Sequence, residues 1–175
     1  MALINDDFIK ECFALSDGGL TWKHRPASHF ASVGEFRKFN ARYAGQKVGV
    51  QSIDGYHRVR VTVGSKRVKL LAHRIIFLLE HGFLPKEIDH KDGNRSNNQI
   101  SNLRAATSSE NKANALSRRD DGVKGVYWNA DRNKWAAYIR ENGKKVFLGR
   151  FDQQAEAHQA YKTAAVRIYG DFARV

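Results

Sequence analysis

The chain of 175 residues is long enough for one ordinary domain or two small ones, and a hydrophobic fraction of 42% indicates packed cores rather than wholesale disorder. Residues 1–114 hold 18 of the 30 basic and 11 of the 18 acidic side chains, so both parts of the chain contribute to the net charge of +12. A positive charge spread along the chain favours a long polyanion as the binding partner. Nucleic acid is the first candidate and an anionic membrane surface the second. One cysteine excludes an internal disulfide and a cysteine-based zinc site, and the lack of a long apolar run or a signal-peptide core predicts an intracellular, non-secreted protein.

The first 71 residues are predicted to be rich in strands. Asn5 can cap a short helix over residues 6–15, whereas residues 27–43 favour neither helix nor strand. The turn signals Asp54-Gly55 and Gly64-Ser65 separate strand-like runs. Strands are predicted at residues 19–25, 47–53, 56–63 and 66–71.

A helix over residues 72–82 follows, and Gly82 and Pro85 end it. Beyond it, strands are predicted at residues 88–90 and 102–107, joined by a long polar loop. Thr107 and Glu110 have capping-box spacing, which predicts a helix from residue 108 to residue 118.

Residues 117–122, SRRDDG, are the best linker candidate. The pattern after them predicts a three-stranded meander followed by one helix. The strands are predicted at residues 125–130, 134–143 and 144–151, and the helix at residues 153–169.

The polar loop and its flanks hold residue types that suit phosphodiester hydrolysis. Asp89, His90, Asn102 and Asn111 converge if the first strand bends after Asp89, because adjacent strand residues otherwise point to opposite faces. Carboxylate and amide oxygens are hard ligands for Mg²⁺, and a neutral imidazole can take a proton from an attacking water.

The other polar side chains of this stretch receive different interpretations. Asn102 is expected to hold the imidazole or the loop by hydrogen bonding, and His73 either assists the site or caps and packs its helix. Three asparagines are interpreted as loop-forming residues that tolerate left-handed backbone: Asn94, Asn97 and Asn98. Three basic residues are candidate phosphate contacts: Lys91, Arg95 and Arg104.

The segment IDHKDGNRSNNQISNLRAATSSENKAN, with AHRIIF ahead of it, resembles the core of an HNH nuclease of the branch common among phage-encoded homing endonucleases. The resemblance runs from about residue 71 to residue 115 and implies a ββα-metal fold with one divalent ion. It makes Asp89 a metal ligand and His90 the general base. Asn102 is then the structural middle residue and Asn111 the second ligand, with Asn114 as the alternative ligand.

Residues 122–175 resemble the apetala-type (ethylene-response-factor) DNA-binding domain, through GVKGV, KWAAYIR, KVFLGRF and AHQAYKTAAVRIYG. The resemblance implies a three-stranded antiparallel sheet that lies in the major groove and is backed by one helix. Trp128 and Trp135 are assigned to the core. The matched positions make six residues candidate DNA contacts: Lys124, Tyr127, Tyr138, Arg140, Lys145 and Phe147.

The sequence therefore predicts an α+β protein with three parts. A β-rich region at residues 1–71 belongs to the nuclease and DNA-binding body, and a ββα-metal nuclease core follows at 72–118. An apetala-type DNA-binding domain, a three-stranded sheet on one helix, is predicted at 119–175. We expect a sequence-directed endonuclease that nicks double-stranded DNA with one Mg²⁺ or Mn²⁺ ion, as a monomer or dimer, with no membrane and no obligatory protein partner. The alternative is a non-catalytic DNA-binding regulator with a vestigial HNH fold. RNA binding has less support, since no pair of stacking aromatics is evident.

Overall fold

The computed structural model describes residues 4–16, 19–63, 66–117 and 121–175. The chain divides into two compact units, Met1–Ala105 and Ala106–Val175. The predicted α+β class is confirmed, since the units combine short helices with small antiparallel sheets. The predicted turn Gly64-Ser65 and residues 118–120 of the predicted linker lie outside the described residues.

The first helix, α1 (Asp6–Cys12), begins where Asn5 Oδ1 accepts a hydrogen bond of 3.0 Å from Phe8 N. The predicted extension of this helix to residue 15 is wrong. Phe13 instead opens β1 (Phe13–Ser16), which pairs with β2 (Gly19–Trp22) and places the Phe13 ring 4.7 Å from the ring of Trp22. Such aromatic cross-strand pairs stabilise a sheet, and this one replaces the last turn of the predicted helix.

Residues 27–43, which the sequence left unassigned, form a short 3-10 helix (Ala27–His29) and the helix α2 (Val33–Tyr43). Ser32 Oγ caps α2 by accepting from Glu35 N at 3.2 Å.

Three strands form the larger sheet of the first unit: β3 (Val50–Gln51), β4 (His57–Val63) and β5 (Lys66–Leu71), in that order. The predicted strand at residues 47–53 is reduced to β3 because Val48 N donates to Leu20 O at 2.8 Å, which ties this part of the chain to β2.

Helix α3 (Ala72–His81) packs its apolar face into the core, where Ile75 and Leu78 are fully buried, and ends at Gly82 in the left-handed conformation (φ 78°). The strands β6 (Glu87–His90) and β7 (Leu103–Ala106) follow and form a two-stranded sheet. The polar loop between them carries the candidate site, so α3 and this sheet are the elements that position it.

An arginine lies inside the apolar core of the first unit. Arg25 is fully buried, and its guanidinium lies 4.7 Å from the ring centroid of Phe30 and 5.0 Å from that of Phe39. It donates to Thr62 O at 3.1 Å and to His29 Nδ1 at 3.4 Å. Aromatic faces and these acceptors together replace the water that a buried cation loses.

In the second unit, α4 (Ser108–Asn114) starts with a complete capping box between Thr107 and Glu110. It ends before the predicted residue 118, because Ala115 adopts an extended backbone (ψ 147°).

The meander consists of β8 (Val126–Asn129), β9 (Lys134–Glu141) and β10 (Lys144–Phe151), with β9 in the centre, and α5 (Gln154–Tyr169) packs across it. A side chain at Gly125 would collide with the ring of Tyr161 and the carbonyl oxygen of Tyr138, so only glycine fits at this contact between helix and sheet. The assignment of Trp128 to the core is wrong, since 48% of it is exposed, although its ring contacts Trp135 edge-on.

Candidate active site

Asp89 and His90 end strand β6 and are both buried, with 4% and 5% of their surface exposed. Neighbouring residues of a regular strand point to opposite faces, and the two side chains meet different partners. Asp89 Oδ2 accepts from Arg104 Nε on β7 at 2.8 Å and also lies 2.8 Å from Arg104 Nη2. His90 faces the loop and α3.

The imidazole of His90 is held from two sides. Its Nε2 lies 3.1 Å from Asn98 Oδ1 in the loop, and its ring meets that of His73 edge-on, with centroids 5.0 Å apart. The ring of Tyr56 lies 6.1 Å away. Because an amide oxygen only accepts, this contact is a hydrogen bond in the tautomer of a neutral imidazole that carries the proton on Nε2 and the lone pair on Nδ1.

His73, near the start of α3, is buried, and its Nδ1 has no hydrogen-bond partner among the residues that the structure describes. Burial, with smaller contributions from the nearby His90 and Arg74, lowers the pKa of His73 to about 4. His73 is therefore neutral at neutral pH, and its uncharged ring packs beside His90.

Asn102 fastens the loop rather than the imidazole. Its Oδ1 accepts from Asp92 N at 3.1 Å, and its Nδ2 donates to Asp92 Oδ1 at 3.0 Å and to Asn97 O at 2.8 Å. Of the two roles that the sequence allowed, the contacts favour holding the loop.

Asp92 accepts several of the hydrogen bonds that hold the loop together, a role that the sequence did not predict. Its carboxylate also accepts from Asn94 N and from Asn97 Nδ2, each at 2.7 Å. The pKa of Asp92 is lowered, because these hydrogen bonds and the one from Asn102 outweigh the opposing effect of burial. The signal was the spacing of Asp92 and Asn94 in DGN, typical of a turn in which a carboxylate accepts from the backbone two residues on.

The three predicted phosphate contacts lie in different settings. Lys91 and Arg95 are exposed; Lys91 Nζ donates to Ser101 O at 2.7 Å, and the Arg95 guanidinium lies 5.0 Å from the ring centroid of Tyr56. The side chain of Arg104 is only 15% exposed and pairs with Asp89, which favours a role in fixing that carboxylate over a DNA contact.

The two candidate second ligands lie on α4 in the second unit. Asn111 is half-buried in the helix that the capping box begins, and Asn114 is buried at its last position. Across the described ranges, no group of three or more His, Cys, Asp or Glu residues is placed to hold a metal ion. An ion bound near Asp89 would therefore have fewer than three such side chains of the described residues as ligands, and amide, water or phosphate oxygens would complete its shell.

The outer face of the meander carries most of the predicted DNA contacts. The rings of Tyr138 and Phe147 lie 5.3 Å apart, and Lys145 Nζ lies 3.8 Å from the ring centroid of Tyr138. Tyr127 and Phe147 are about half exposed, at 52% and 47%. Arg150, not selected from the sequence, lies 5.0 Å over the ring of Phe147.

Two predicted contacts of the second unit are engaged within the protein. Lys124 Nζ donates to Ala113 O at 2.7 Å and to Arg174 O at 2.8 Å, and burial lowers its pKa. These contacts favour a structural role for Lys124. Arg140 is exposed, with Nη1 donating to Gly143 O at 2.9 Å.

Two family models match the chain: "HNH endonuclease" at residues 70–113 and "AP2 domain" at residues 121–171. The chain is 31% identical over 106 residues to Protein 3.8 of Escherichia phage T7, of which the match covers 87%. It belongs to the HNH endonuclease family. The two resemblances predicted from the sequence, to an HNH nuclease core and to an apetala-type domain, are thereby confirmed. A nuclease function is supported at the level of the family.

Two further relatives of this HNH chain carry endonuclease names. It is 33% identical over 109 residues to an uncharacterized HNH endonuclease of Acanthamoeba polyphaga mimivirus, a match over 60% of this chain and 56% of the relative. It is 39% identical over 70 residues to the DNA endonuclease I-HmuI of Bacillus phage SP01, a match over 37% of this chain and 38% of the relative. The chain thus spans about half or less of these two proteins. No solved structure matches it significantly, and none of the described helices is long and apolar enough to cross a membrane.

Proposed function

We propose that this HNH chain hydrolyses a phosphodiester bond of double-stranded DNA, cutting one strand at each encounter, with His90 as the general base. The observation that carries the proposal is the hydrogen bond of 3.1 Å between His90 Nε2 and Asn98 Oδ1. It supports the tautomer in which Nδ1 holds the lone pair, the form that accepts a proton from an attacking water. The neutral His73 ring packs beside it and brings no positive charge to the site.

Asp89 is the residue we propose to hold a divalent ion, Mg²⁺ or Mn²⁺. The donor chemistry fits, because Mg²⁺ is commonly bound through one or two carboxylates while waters and substrate phosphates complete its shell. Such an ion, when bound, polarises the scissile phosphate and stabilises the leaving oxyanion. Arg104 fixes the orientation of the carboxylate through Oδ2. The second ligand expected from the sequence, Asn111 or its alternative Asn114, stays a prediction.

DNA as the substrate is supported by the two matched families and by the charge of +12. The exposed face around Lys145, Tyr127 and Phe147 suits contacts to phosphates and base edges, with Lys145 and Arg150 as cations beside aromatic rings. The relative from phage SP01 is named a DNA endonuclease, and we extend that substrate to this chain. One catalytic histidine per chain favours nicking over a double-strand break.

Incubation of the full chain with supercoiled plasmid tests the proposal. We expect conversion to nicked circles with Mg²⁺ and none with a chelator in its place. Linear product that forms without a nicked intermediate would contradict single-strand cutting. Stable DNA binding without any cleavage under all divalent ions would favour the non-catalytic regulator.

A further inference from the structure

The sheet of β4 and β5 has one face towards the core and one towards solvent. In the antiparallel register, Val59 lies opposite Leu70 and Val61 opposite Val68, and on this side Val59 and Val61 are buried in the core with Leu70 packed against it. The alternate pairs point outwards. Arg60 lies directly opposite Lys69, and Thr62 lies opposite Arg67.

One of the outward pairs works against stability. Like charges directly opposite each other on a sheet are destabilising, and Arg60 and Lys69 form such a pair. Four cations lie on this face: Arg58, Arg60, Arg67 and Lys69. The last three are exposed and form no ion pair with any described carboxylate. An arrangement that costs folding energy and has no internal partner indicates a ligand outside the chain.

A groove continues this face. Of its 15 lining residues, five are basic and none is acidic. Three aromatic residues of β2 and α2 also line it: Trp22, Phe39 and Tyr43. The basic residues that line it are Lys47, Arg58, Arg60, Arg67 and Lys69. Arg58 alone is paired, with Asp54 Oδ2 at 2.5 Å.

We propose that this basic groove binds the phosphate backbone of duplex DNA, in addition to the active site and to the face of the meander. The inference rests on the proposed function, since it assumes a DNA substrate. Residues two apart on a strand are separated by about 7 Å, comparable to the spacing of successive phosphates, so Arg58 and Arg60 on β4 and Arg67 and Lys69 on β5 form two parallel rows of cations. Guanidinium groups bind phosphate oxygens in pairs, which suits the three arginines.

The test uses a double variant, Arg60→Gln with Lys69→Gln, in the full chain. A matched control, Arg37→Gln with Lys38→Gln, removes the same charge from the exposed face of α2. Binding to a short duplex of random sequence is measured in chelator over a range of salt concentrations. We expect the slope of log K against log salt to become shallower by about 2 in the groove variant, since each phosphate contact contributes about 0.9. The control is expected to keep the wild-type slope.

Thermal unfolding separates this outcome from misfolding. Removing the opposed charges is expected to leave the melting temperature unchanged or to raise it, while DNA affinity falls. If the double variant is nevertheless less stable than wild type, the single variant Arg67→Gln takes its place, with an expected slope change of about 1.

A groove variant with the wild-type slope, or with no larger change than the control, overturns the inference. If the groove variant shows this result while the wild-type protein nicks supercoiled plasmid with Mg²⁺, the proposed function stands and only the groove assignment fails. A wild-type protein that neither binds nor cuts DNA overturns both. If the wild type binds phosphatidylserine vesicles but not the duplex, and the groove variant loses the vesicle binding, the groove is a membrane contact and the inference is overturned.

Discussion

Asn98 is the residue on which the proposed chemistry of His90 depends. Its amide oxygen lies 3.1 Å from Nε2 and thereby selects the tautomer with the lone pair on Nδ1. Replacement by alanine leaves the ring free to change tautomer and rotate. We expect Asn98→Ala to lower the nicking rate by roughly tenfold or more, part of the 10²–10⁴-fold typical of general base catalysis.

The measurement is the single-turnover nicking rate at saturating DNA, alongside duplex affinity. Asn98→Asp is the matched control, because it keeps an acceptor oxygen and is expected to recover part of the rate. An Asn98→Ala protein that nicks as fast as wild type would show that the ring needs no such orientation.

His73 makes the fold sensitive to acid. Its pKa is about 4 in the folded protein and about 6.5 when unfolded, so between these values the unfolded chain binds more protons and stability falls as pH falls. A difference of that size corresponds to about 3 kcal/mol once both forms are fully protonated. Above about pH 6.5 His73 is neutral in both the folded and the unfolded state, so none of this stability is lost there.

Urea denaturation at neutral pH and at about pH 4 measures this loss. We expect His73→Gln, which does not titrate, to lose less stability between the two pH values than wild type. The control is His24→Gln, at an exposed histidine. Equal acid sensitivity of wild type and His73→Gln would show that other groups cause it.

Among the elements of the first unit, β2, α2 and β4 are joined by the buried Arg25. Its guanidinium lies among aromatic rings and reaches Thr62 O of β4 and His29 Nδ1. The ring of His29 in turn contacts Glu11 Oε2 through Nε2 at 2.8 Å, and burial lowers the pKa of His29.

Arg25→Lys is expected to destabilise the protein by about 3 kcal/mol, because an ammonium cannot serve these planar contacts together. Equilibrium denaturation in urea provides the measurement. Arg37→Lys, on the exposed face of α2, is the control and is expected to change nothing. Wild-type stability of Arg25→Lys would show that this core does not depend on the guanidinium.

Local capping signals predicted where α1 and α4 begin, and contacts distant in sequence shortened α1 and the strand predicted at residues 47–53. The caps at Asn5 and Thr107 are short-range, so the starts of α1 and α4 follow from the sequence. The end of α1 depends on pairing between Phe13 and Trp22, which no helical periodicity reveals.

The same distinction applies to the candidate site. The pair of Asp89 and His90 indicates hydrolytic chemistry only together with the DGN and NLR motifs and the capped helix that follow it at this spacing. The contact of Asn98 with His90, and of Arg104 with Asp89, requires the folded loop and the β6–β7 sheet. The sequence therefore predicts only a loop-forming role for Asn98, because its sequence neighbours give no sign of the imidazole it meets.

At the scale of the whole molecule, contacts that give affinity for DNA differ from contacts that give specificity. On the face of the meander, Lys145 is a charge and Phe147 an apolar ring. We expect Lys145→Gln to weaken binding to all duplexes and to reduce the salt slope by about 1. Phe147→Ala is expected to leave that slope unchanged and to reduce the preference among sequences, since apolar side chains contact base edges.

Salt-dependent binding to a panel of duplexes measures both effects. Lys162→Gln, on α5, is the matched control for charge, and its slope is expected to equal that of wild type. If Phe147→Ala reduced the salt slope more than Lys145→Gln does, the two assigned roles would be reversed.

The central claim is that His90 performs the chemistry of a DNA nuclease. The most direct measurement compares wild type, His90→Ala and the exposed-site control His24→Ala for nicking of supercoiled plasmid with Mg²⁺, and for affinity to the same DNA. We predict that His90→Ala loses nicking by at least about 10²-fold, with affinity unchanged, while His24→Ala behaves as wild type. Wild-type nicking by His90→Ala would contradict the claim.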